Sequence, residues 1–330
     1  MSPAHVGAEK NIKNAVANND GFVKKSQLLF TEALMTNQAK TAFRQYPVAM
    51  VNITNRCTLK CKHCFVYRDG NPNERKEEMD TPLMLEKLAE LQQRHGIVAM
   101  LWMGGEPLLR PDVLTEGIKL FERNIITTNG TIAPIELPDC TYVMSLDGPP
   151  ELNDSVRGKG TFKKVMKTLS HIPEQFASKI MCQCVVTKQN EDSLEDLVNL
   201  LRPTRAEGMT FSFYVPPKSD TSDLTWGSLE HRDTAVHTVM ALKKKYPDFV
   251  WNKQRSLELT LSQNARSVTD NCPALKLVLP LYLEGNEFVT PFCCYGNDVD
   301  CELCGAWVVF HLAARLEEGS IKNVQPSDLS

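Results

Sequence analysis

The sequence predicts an α/β fold: a partial (β/α)6 barrel with a small cysteine-rich C-terminal extension. Between residues 46 and 216, short apolar runs rich in Val, Ile and Met alternate with longer amphipathic stretches, the pattern of βα units around a parallel sheet. The polar motifs fall just after those apolar runs, where the carboxyl ends of parallel strands gather ligands. The eleven cysteines are unevenly spread, with clusters at 57–64 and 293–304, so one thiol-rich site is expected in the barrel and another in the extension.

Composition narrows the function. With 330 residues and 42% hydrophobic content, the chain suits a globular body of about two domains. Its 37 Lys and Arg against 40 Asp and Glu, a net charge of −3, give no excess of cations for phosphate backbones, so no nucleic-acid partner is expected. Residues 1–10 have no apolar core of a signal peptide. The longest apolar runs, Ile97–Met103 and Ala306–Phe310, fall short of the ~18 residues of a spanning helix, so no transmembrane segment is expected. An odd number of cysteines without an export signal favours thiolate–metal chemistry in a reducing, cytoplasmic setting over disulfides.

The elements follow in order. Residues 1–45 are polar with spaced apolar positions, an N-terminal helical segment without a motif. The barrel core, 46–216, has expected strands at Val48–Thr54, Ile97–Met103, Asn124–Thr127, Tyr142–Leu146, Lys179–Thr187 and Met209–Tyr214. Expected helices are Pro82–His95, Pro111–Glu122, Thr161–Ser170 and Asp192–Leu201. Pro216-Pro217 and the polar run Lys218–Thr225 mark a boundary, then a helical extension covers 217–270 with its helix at Gly227–Tyr246. The cysteine block occupies 271–316 and a polar tail 317–330. Within the block, Ala306–Leu316 is apolar but too short to span a bilayer, and is expected as a helix buried against the barrel.

Directly after the first strand comes Cys57-Thr58-Leu59-Lys60-Cys61-Lys62-His63-Cys64. Three thiolates on one tight loop can converge on one inorganic centre. A ferredoxin-like site would add a fourth nearby cysteine, and structural zinc prefers two C-x2-C pairs or a Cys/His set. His63, inside the C-x2-C loop, is poorly placed to join its neighbours on one ion. After the second strand, Gly104-Gly105-Glu106-Pro107 lets the backbone approach a ligand closely, and the Glu106 carboxylate can accept hydrogen bonds from an ammonium group. Thr127-Thr128-Asn129-Gly130 ends the third strand, and Asn129 is also a good turn residue. Ser145-Leu146-Asp147-Gly148 ends the fourth, with Arg157-Gly158 shortly after; for Asp147 a structural turn role is expected.

In order and spacing, from Val48 to Pro216, these motifs resemble the radical S-adenosylmethionine (radical SAM) superfamily. Its signature is C-x3-C-x-φ-C with φ usually aromatic, and Cys57, Cys61, His63 and Cys64 occupy those places. The resemblance implies a radical SAM barrel in which Cys57, Cys61 and Cys64 ligate a 4Fe–4S cluster with one iron open to the methionine part of S-adenosylmethionine. It implies that an electron donor such as flavodoxin or ferredoxin reduces the cluster. Cleavage of the sulfonium then gives a 5′-deoxyadenosyl radical that abstracts hydrogen from an unactivated carbon. It also implies cofactor-binding roles for His63, for Gly104, Gly105, Glu106 and Pro107 at the methionine amino group, for Asn129, and for Ser145 and Arg157 at the methionine carboxylate.

The C-terminal block, with Cys272, Cys293, Cys294, Cys301 and Cys304, can supply four thiolates, a set that suits a 4Fe–4S cluster or tetrahedral zinc. It resembles the SPASM/twitch extensions of the same superfamily, in which a cysteine precedes a β-hairpin and another follows it. That resemblance implies a second 4Fe–4S cluster on Cys272, Cys294, Cys301 and Cys304, with Cys293 as the substitute for Cys294. The C-x5-C-x3-C continuation that would add a further cluster is missing after Cys304. The expected substrate is a small molecule or biosynthetic intermediate, with peptide or protein maturation as the alternative and lipid or isoprenoid modification third, resting on Ala306–Leu316. A non-catalytic Fe–S or zinc module is the reading from another class. Cys140, Cys182 and Cys184 are expected as packing residues. His95, His171, His231, His237 and His311 have no partner at motif spacing and are expected in solvent or capping roles, and Lys243-Lys244-Lys245 is expected to complement a helix C-terminus.

Overall fold

The computed structural model describes residues 46–67, 78–218, 220–290 and 299–320. All six expected barrel strands are present: β1 (Val48–Asn52), β2 (Ala99–Met103), β3 (Arg123–Thr128), β4 (Cys140–Ser145), β5 (Lys179–Val186) and β6 (Gly208–Phe213). Each is parallel to the next, with Val51 beside Trp102 and Trp102 beside Ile126. Helices return the chain: α1 (Thr81–His95) to β2, α2 (Pro111–Gly117) with a 3-10 turn at Ile118–Leu120 to β3, α3 (Pro150–Arg157) and α4 (Thr161–His171) to β5, and α5 (Leu194–Leu201) to β6. The register of α1 is set locally. Asp80 Oδ1 accepts the Leu83 N–H at 2.9 Å and Pro82 fits the first turn, which turns Met84 and Leu88 into the core.

Trp102 is wholly buried at the centre of the sheet, and its indole N–H donates to Asn124 Oδ1 at 2.8 Å. A Cβ on Gly117 would stand 2.4 Å from that indole, so only glycine at the end of α2 admits the ring. Cys140, Cys182 and Cys184 are buried, as expected of packing residues.

Two elements go beyond the sequence reading. The helix α3 occupies a stretch for which no element is expected, and β7 (Val278–Glu284), from the cysteine block, pairs in parallel with β1 on the side away from β2. β8 (Glu287–Val289) folds back antiparallel on β7, so the sheet runs β6-β5-β4-β3-β2-β1-β7-β8. The continuous apolar run of β7 suits a strand covered on both faces.

The remaining helices are α6 (Leu229–Lys245), α7 (Gln254–Thr260), α8 (Ser262–Asp270), α9 (Ala274–Leu277) and α10 (Trp307–Glu317). The apolar stretch forms α10 and buries Val309, Phe310, Leu312 and Ala314, with α7, α8 and β6 as its neighbours. One histidine departs from expectation. His311 stacks on Trp307 at 4.4 Å, and burial, with Arg315 and Lys253 nearby, pushes its pKa down to about 3, so it is a packing residue. His171 and His231 do bond main-chain carbonyls, of Lys167 and Trp226. At the end of α6, Lys243 donates to the carbonyls of Pro247 and Val250. Among the described residues no helix is long and apolar enough to cross a membrane.

Candidate functional site

The carboxyl ends of β1 to β4 lead into the four motifs. From β1 the chain enters the cysteine loop through a short segment fixed on two sides. The Asn55 amide donates to the Leu283 carbonyl of β7 at 3.0 Å. The Glu78 carboxylate accepts from the Asn55 N–H (2.8 Å), the Arg56 Nε–H (3.2 Å) and the Thr54 hydroxyl. Glu78 lies in a charged stretch without motif character, and nothing in its sequence context marks it.

Each of the three sulfurs in the loop faces an N–H donor. The Leu59 N–H points to Cys57 Sγ (3.5 Å) and the Tyr67 N–H to Cys64 Sγ (3.3 Å). Asn129 Nδ2 lies 3.8 Å from Cys57 Sγ and Arg157 Nη1 4.0 Å from Cys61 Sγ. Burial pushes the Cys57 thiol up to about 11 and Cys61 to about 12, with Leu59 opposing the first shift and Arg157 the second. Buried thiols of this kind ionise when a cation joins them.

The glycine pair clasps this loop. The Gly105 N–H donates to the Thr54 carbonyl (2.9 Å) and the Glu106 N–H to that of Arg56 (2.8 Å). A Cβ on Gly105 would lie 2.1 Å from the Arg56 oxygen and 2.2 Å from the Tyr67 hydroxyl, so the two loops touch at backbone distance. Glu106 is completely buried and turned inward. Its Oε1 accepts from the Leu108 N–H (3.1 Å) and the Thr128 hydroxyl (2.7 Å), and Oε2 accepts from the Asn129 N–H (2.8 Å). Burial raises its pKa, against the pull of those hydrogen bonds. The carboxylate thus ties the end of β2 to the end of β3, and Pro107 starts a buried 3-10 turn beyond it. Glu106→Gln places an amide N–H against existing donors. Thermal or urea unfolding of the apo protein should show a loss of about 1–3 kcal/mol, the cost of unsatisfied buried donors.

Asn129 reaches the cysteine loop through Nδ2, which donates to the Thr58 hydroxyl at 3.0 Å, while its Oδ1 accepts from the Thr131 N–H and hydroxyl. Ser145 ends β4, half-buried. Asp147 corrects the sequence reading. Its side chain makes no turn bond to its own loop; it is completely buried, with Oδ2 2.6 Å from both His63 Nε2 and Arg157 Nε. Oδ1 accepts the Val185 N–H at 2.8 Å. Burial alone would raise its pKa, but Arg157 and His63 hold the carboxyl far below the usual range. Burial would lower Arg157, and Asp147 and Cys61 more than reverse it. His63 and Arg157, distant in sequence, therefore meet on one carboxylate beneath the cysteine loop. The Lys62 N–H bonds the Val156 carbonyl at 2.9 Å beside them.

In the C-terminal block, Cys272 precedes α9, and Cys301 and Cys304 bracket a 3-10 turn capped by Asp300, which accepts the Glu302 N–H at 3.0 Å. Cys272 and Cys304 pack on one apolar cluster with Leu259, Val268 and Phe310, while Cys301 is exposed. From α6 the buried Arg232 donates to the carbonyls of Leu303 (3.2 Å), Cys304 (2.9 Å) and Thr260 (2.7 Å), which holds this turn against α7. Cys293 and Cys294 lie outside the described residues. Among the described residues no three His, Cys, Asp or Glu side chains gather around a single ion.

The carboxyl end of this partial βα barrel brings together three thiols, a glycine pair and a buried Arg–Asp pair, at the end where parallel α/β sheets gather ligands. Residues 51–201, a little under half of the chain, match the Radical SAM superfamily. Fe-coproporphyrin III synthase of Methanosarcina barkeri is 30% identical over 217 residues, covering 60% of this chain and 52% of that protein. Molybdenum cofactor biosynthesis protein 1 of Bos taurus is 33% identical over 174 residues, 48% of this chain and 27% of that protein. The chain thus spans about half the length of the first relative and about a quarter of the second. Among solved structures, Streptococcus suis SuiB bound to S-adenosylmethionine has a similar fold. Its TM-score is 0.58 at 15% identity, over 83% of this chain and 68% of that one.

Proposed function

We propose that the protein is a radical SAM enzyme whose cluster is held by Cys57, Cys61 and Cys64. The observation that carries this is the set of N–H donors facing all three sulfurs, since hydrogen bonds to the ligating sulfurs accompany and tune Fe–S clusters. A 4Fe–4S cluster takes one thiolate per iron, so its ligands need not meet at a single point. When bound, the cluster and S-adenosylmethionine supply an adenosyl radical able to take hydrogen from an unactivated carbon. The chain's own residues orient and shield. Gly104 and Gly105 hold the methionine-binding loop against the cysteine loop at backbone distance, and Glu106 and Pro107 stiffen that loop from within. Ser145 and Arg157 offer donors to the methionine carboxylate, while His63 within the cysteine loop and Asn129 beside it complete the cofactor-binding set.

The second site is read as an auxiliary 4Fe–4S cluster on Cys272, Cys301 and Cys304 with Cys294. The packing of Cys272 and Cys304 on one cluster supports it, as does the β7–β8 hairpin that follows Cys272. In this reading the barrel spans 46–216, the helical extension 217–270 and the auxiliary region 271–316. The substrate is a small molecule or biosynthetic intermediate, in keeping with relatives named as a synthase and a cofactor-biosynthesis protein, and reduction comes from a flavodoxin- or ferredoxin-type donor. Peptide maturation is the second reading, favoured by the similarity to mycofactocin maturase MftC of Mycolicibacterium smegmatis, 30% identical over 159 residues. A lipid or isoprenoid substrate, the third reading, draws no support from the apolar stretch after Cys304, whose Val309, Phe310, Leu312 and Ala314 are buried in α10. The test is anaerobic reconstitution with iron and sulfide, chemical reduction and addition of S-adenosylmethionine. Formation of 5′-deoxyadenosine is expected, and its absence above a protein-free control overturns the enzyme reading.

A further inference from the structure

We propose that Asp147 is a positioning residue for the S-adenosylmethionine site, a carboxylate that locks His63 and Arg157 together and so fixes the guanidinium beside Cys61. This rests on the reading that the cysteine loop holds the cluster. A turn aspartate bonds the backbone of its own loop, whereas the Asp147 oxygens serve His63 of the cysteine loop, Arg157 at the end of α3 and the Val185 N–H in β5. Three elements therefore meet on one side chain. A buried carboxylate is costly unless it is paired or hydrogen-bonded, and here Oδ1 accepts the Val185 N–H while Oδ2 lies 2.6 Å from both His63 Nε2 and the Arg157 guanidinium Nε, the latter an ion-pair contact.

Two consequences follow for the site. The ion pair with Asp147 holds Arg157 by its Nε side and leaves the Nη groups for other acceptors, one of them 4.0 Å from Cys61 Sγ. A cation held in this way can receive a carboxylate without reorganising, the arrangement by which outer partners tune a metal site. Charge is balanced at the same point. The negative Asp147 offsets the positive Arg157, so the cluster side of Cys61 sees a neutral pair.

Asp147→Asn keeps the shape and removes the charge, and Arg157→Gln removes the opposite charge. Each variant and the wild type would be reconstituted and titrated by EPR for the midpoint potential. Binding of S-adenosylmethionine would be measured alongside, together with KM and kcat for its reductive cleavage. In Asp147→Asn an uncompensated cation remains beside Cys61, so the potential should rise. The KM for S-adenosylmethionine should rise about 10-fold or more, in the range lost with outer-shell partners, with a smaller change in kcat and with iron content retained. In Arg157→Gln the potential should fall. Unmoved potential and KM in Asp147→Asn at full iron content would overturn the proposal, as would loss of iron from that variant with normal S-adenosylmethionine affinity in the remainder. If Asp147→Asn does not fold, Arg157→Gln carries the test alone, and an unshifted potential there overturns it. A wild type that binds no cluster defeats the reading of the site and this role with it, whereas a normal wild type with unmoved variants defeats the role of Asp147 only.

Discussion

Replacing Cys57, Cys61 and Cys64 together by alanine is expected to lower the iron of the reconstituted protein from about eight to about four atoms per chain and to abolish 5′-deoxyadenosine formation, because each 4Fe–4S cluster depends on its own thiolates. The loop itself should survive the change. Its scaffold is the Asn55 bond to Leu283, the Glu78 bonds to Asn55 and Arg56, and the clasp of Gly105 and Glu106 on Thr54 and Arg56, none of which uses a sulfur. Far-UV and near-UV circular dichroism of the apo variant should therefore match those of the apo wild type. The C-terminal turn is held separately, by Arg232 and by the Phe213 N–H bond to the Gly305 carbonyl at 2.8 Å, so its metal should remain. Three results would contradict this. Undiminished iron in the variant would remove the three cysteines as ligands, and surviving 5′-deoxyadenosine would remove the radical SAM reading. About four irons with one zinc in the wild type would make the C-terminal site a zinc site, for which a tetrahedral thiolate set is equally suited.

The barrel was legible because its signal is local. Strands buried on both faces must be apolar throughout, so Ile97–Met103 identifies itself by composition, and β2 lies within those limits. The placing of motifs after strands is equally local, which is why the cysteine loop, the glycine pair and Asn129 meet in space as their order in the chain implies. The helix α3 was harder to read. It has eight residues, and the Pro149-Pro150 pair at its start and Gly158 after it are turn signals. A proline in the first turn also starts helices, and the buried Asn153 and Val156 show that this one packs.

What stayed hidden depends on partners distant in sequence. Glu78 and Leu283 support the residues before Cys57 from opposite directions, and neither carries a local mark of that role. β7 reads as an apolar run inside a cysteine block, and only its pairing with β1 makes it part of the barrel sheet. Asp147 shows the same limit more sharply. A carboxylate after a strand and before a glycine looks like a turn residue, and its partners His63 and Arg157 become visible only once the loop after β1 and the end of α3 are brought together. Glu106 likewise looks outward in the sequence and faces inward in the fold, because Thr128 and Asn129 arrive from β3 with donors to spare.

Gly105→Ala is expected to be nearly as damaging as loss of the cysteines, although it adds one methyl group. The new Cβ would fall 2.1 Å from the Arg56 carbonyl oxygen and 2.2 Å from the Tyr67 hydroxyl. Rotation of the Tyr67 side chain can relieve the second contact. The first is with backbone, and Arg56 immediately precedes Cys57, so relief requires the glycine loop and the cysteine loop to separate. Separation breaks the Glu106 N–H bond to Arg56 and the Gly105 N–H bond to Thr54, which set the distance between the cysteine loop and the glycine loop. Displacement of a reacting centre by about 1 Å costs on the order of 100-fold in rate, so 5′-deoxyadenosine formation should fall by at least about that factor. Overpacking should also cost about 1–3 kcal/mol of stability. Gly319→Ala is the control for stability alone. Its φ of 66° makes alanine strained there too, but nothing lies within 4 Å of the added Cβ. That variant should lose about 1 kcal/mol and keep its iron and its 5′-deoxyadenosine. Equal loss of product in both variants would mean that general destabilisation, and not the spacing of the two loops, explains the effect of Gly105→Ala.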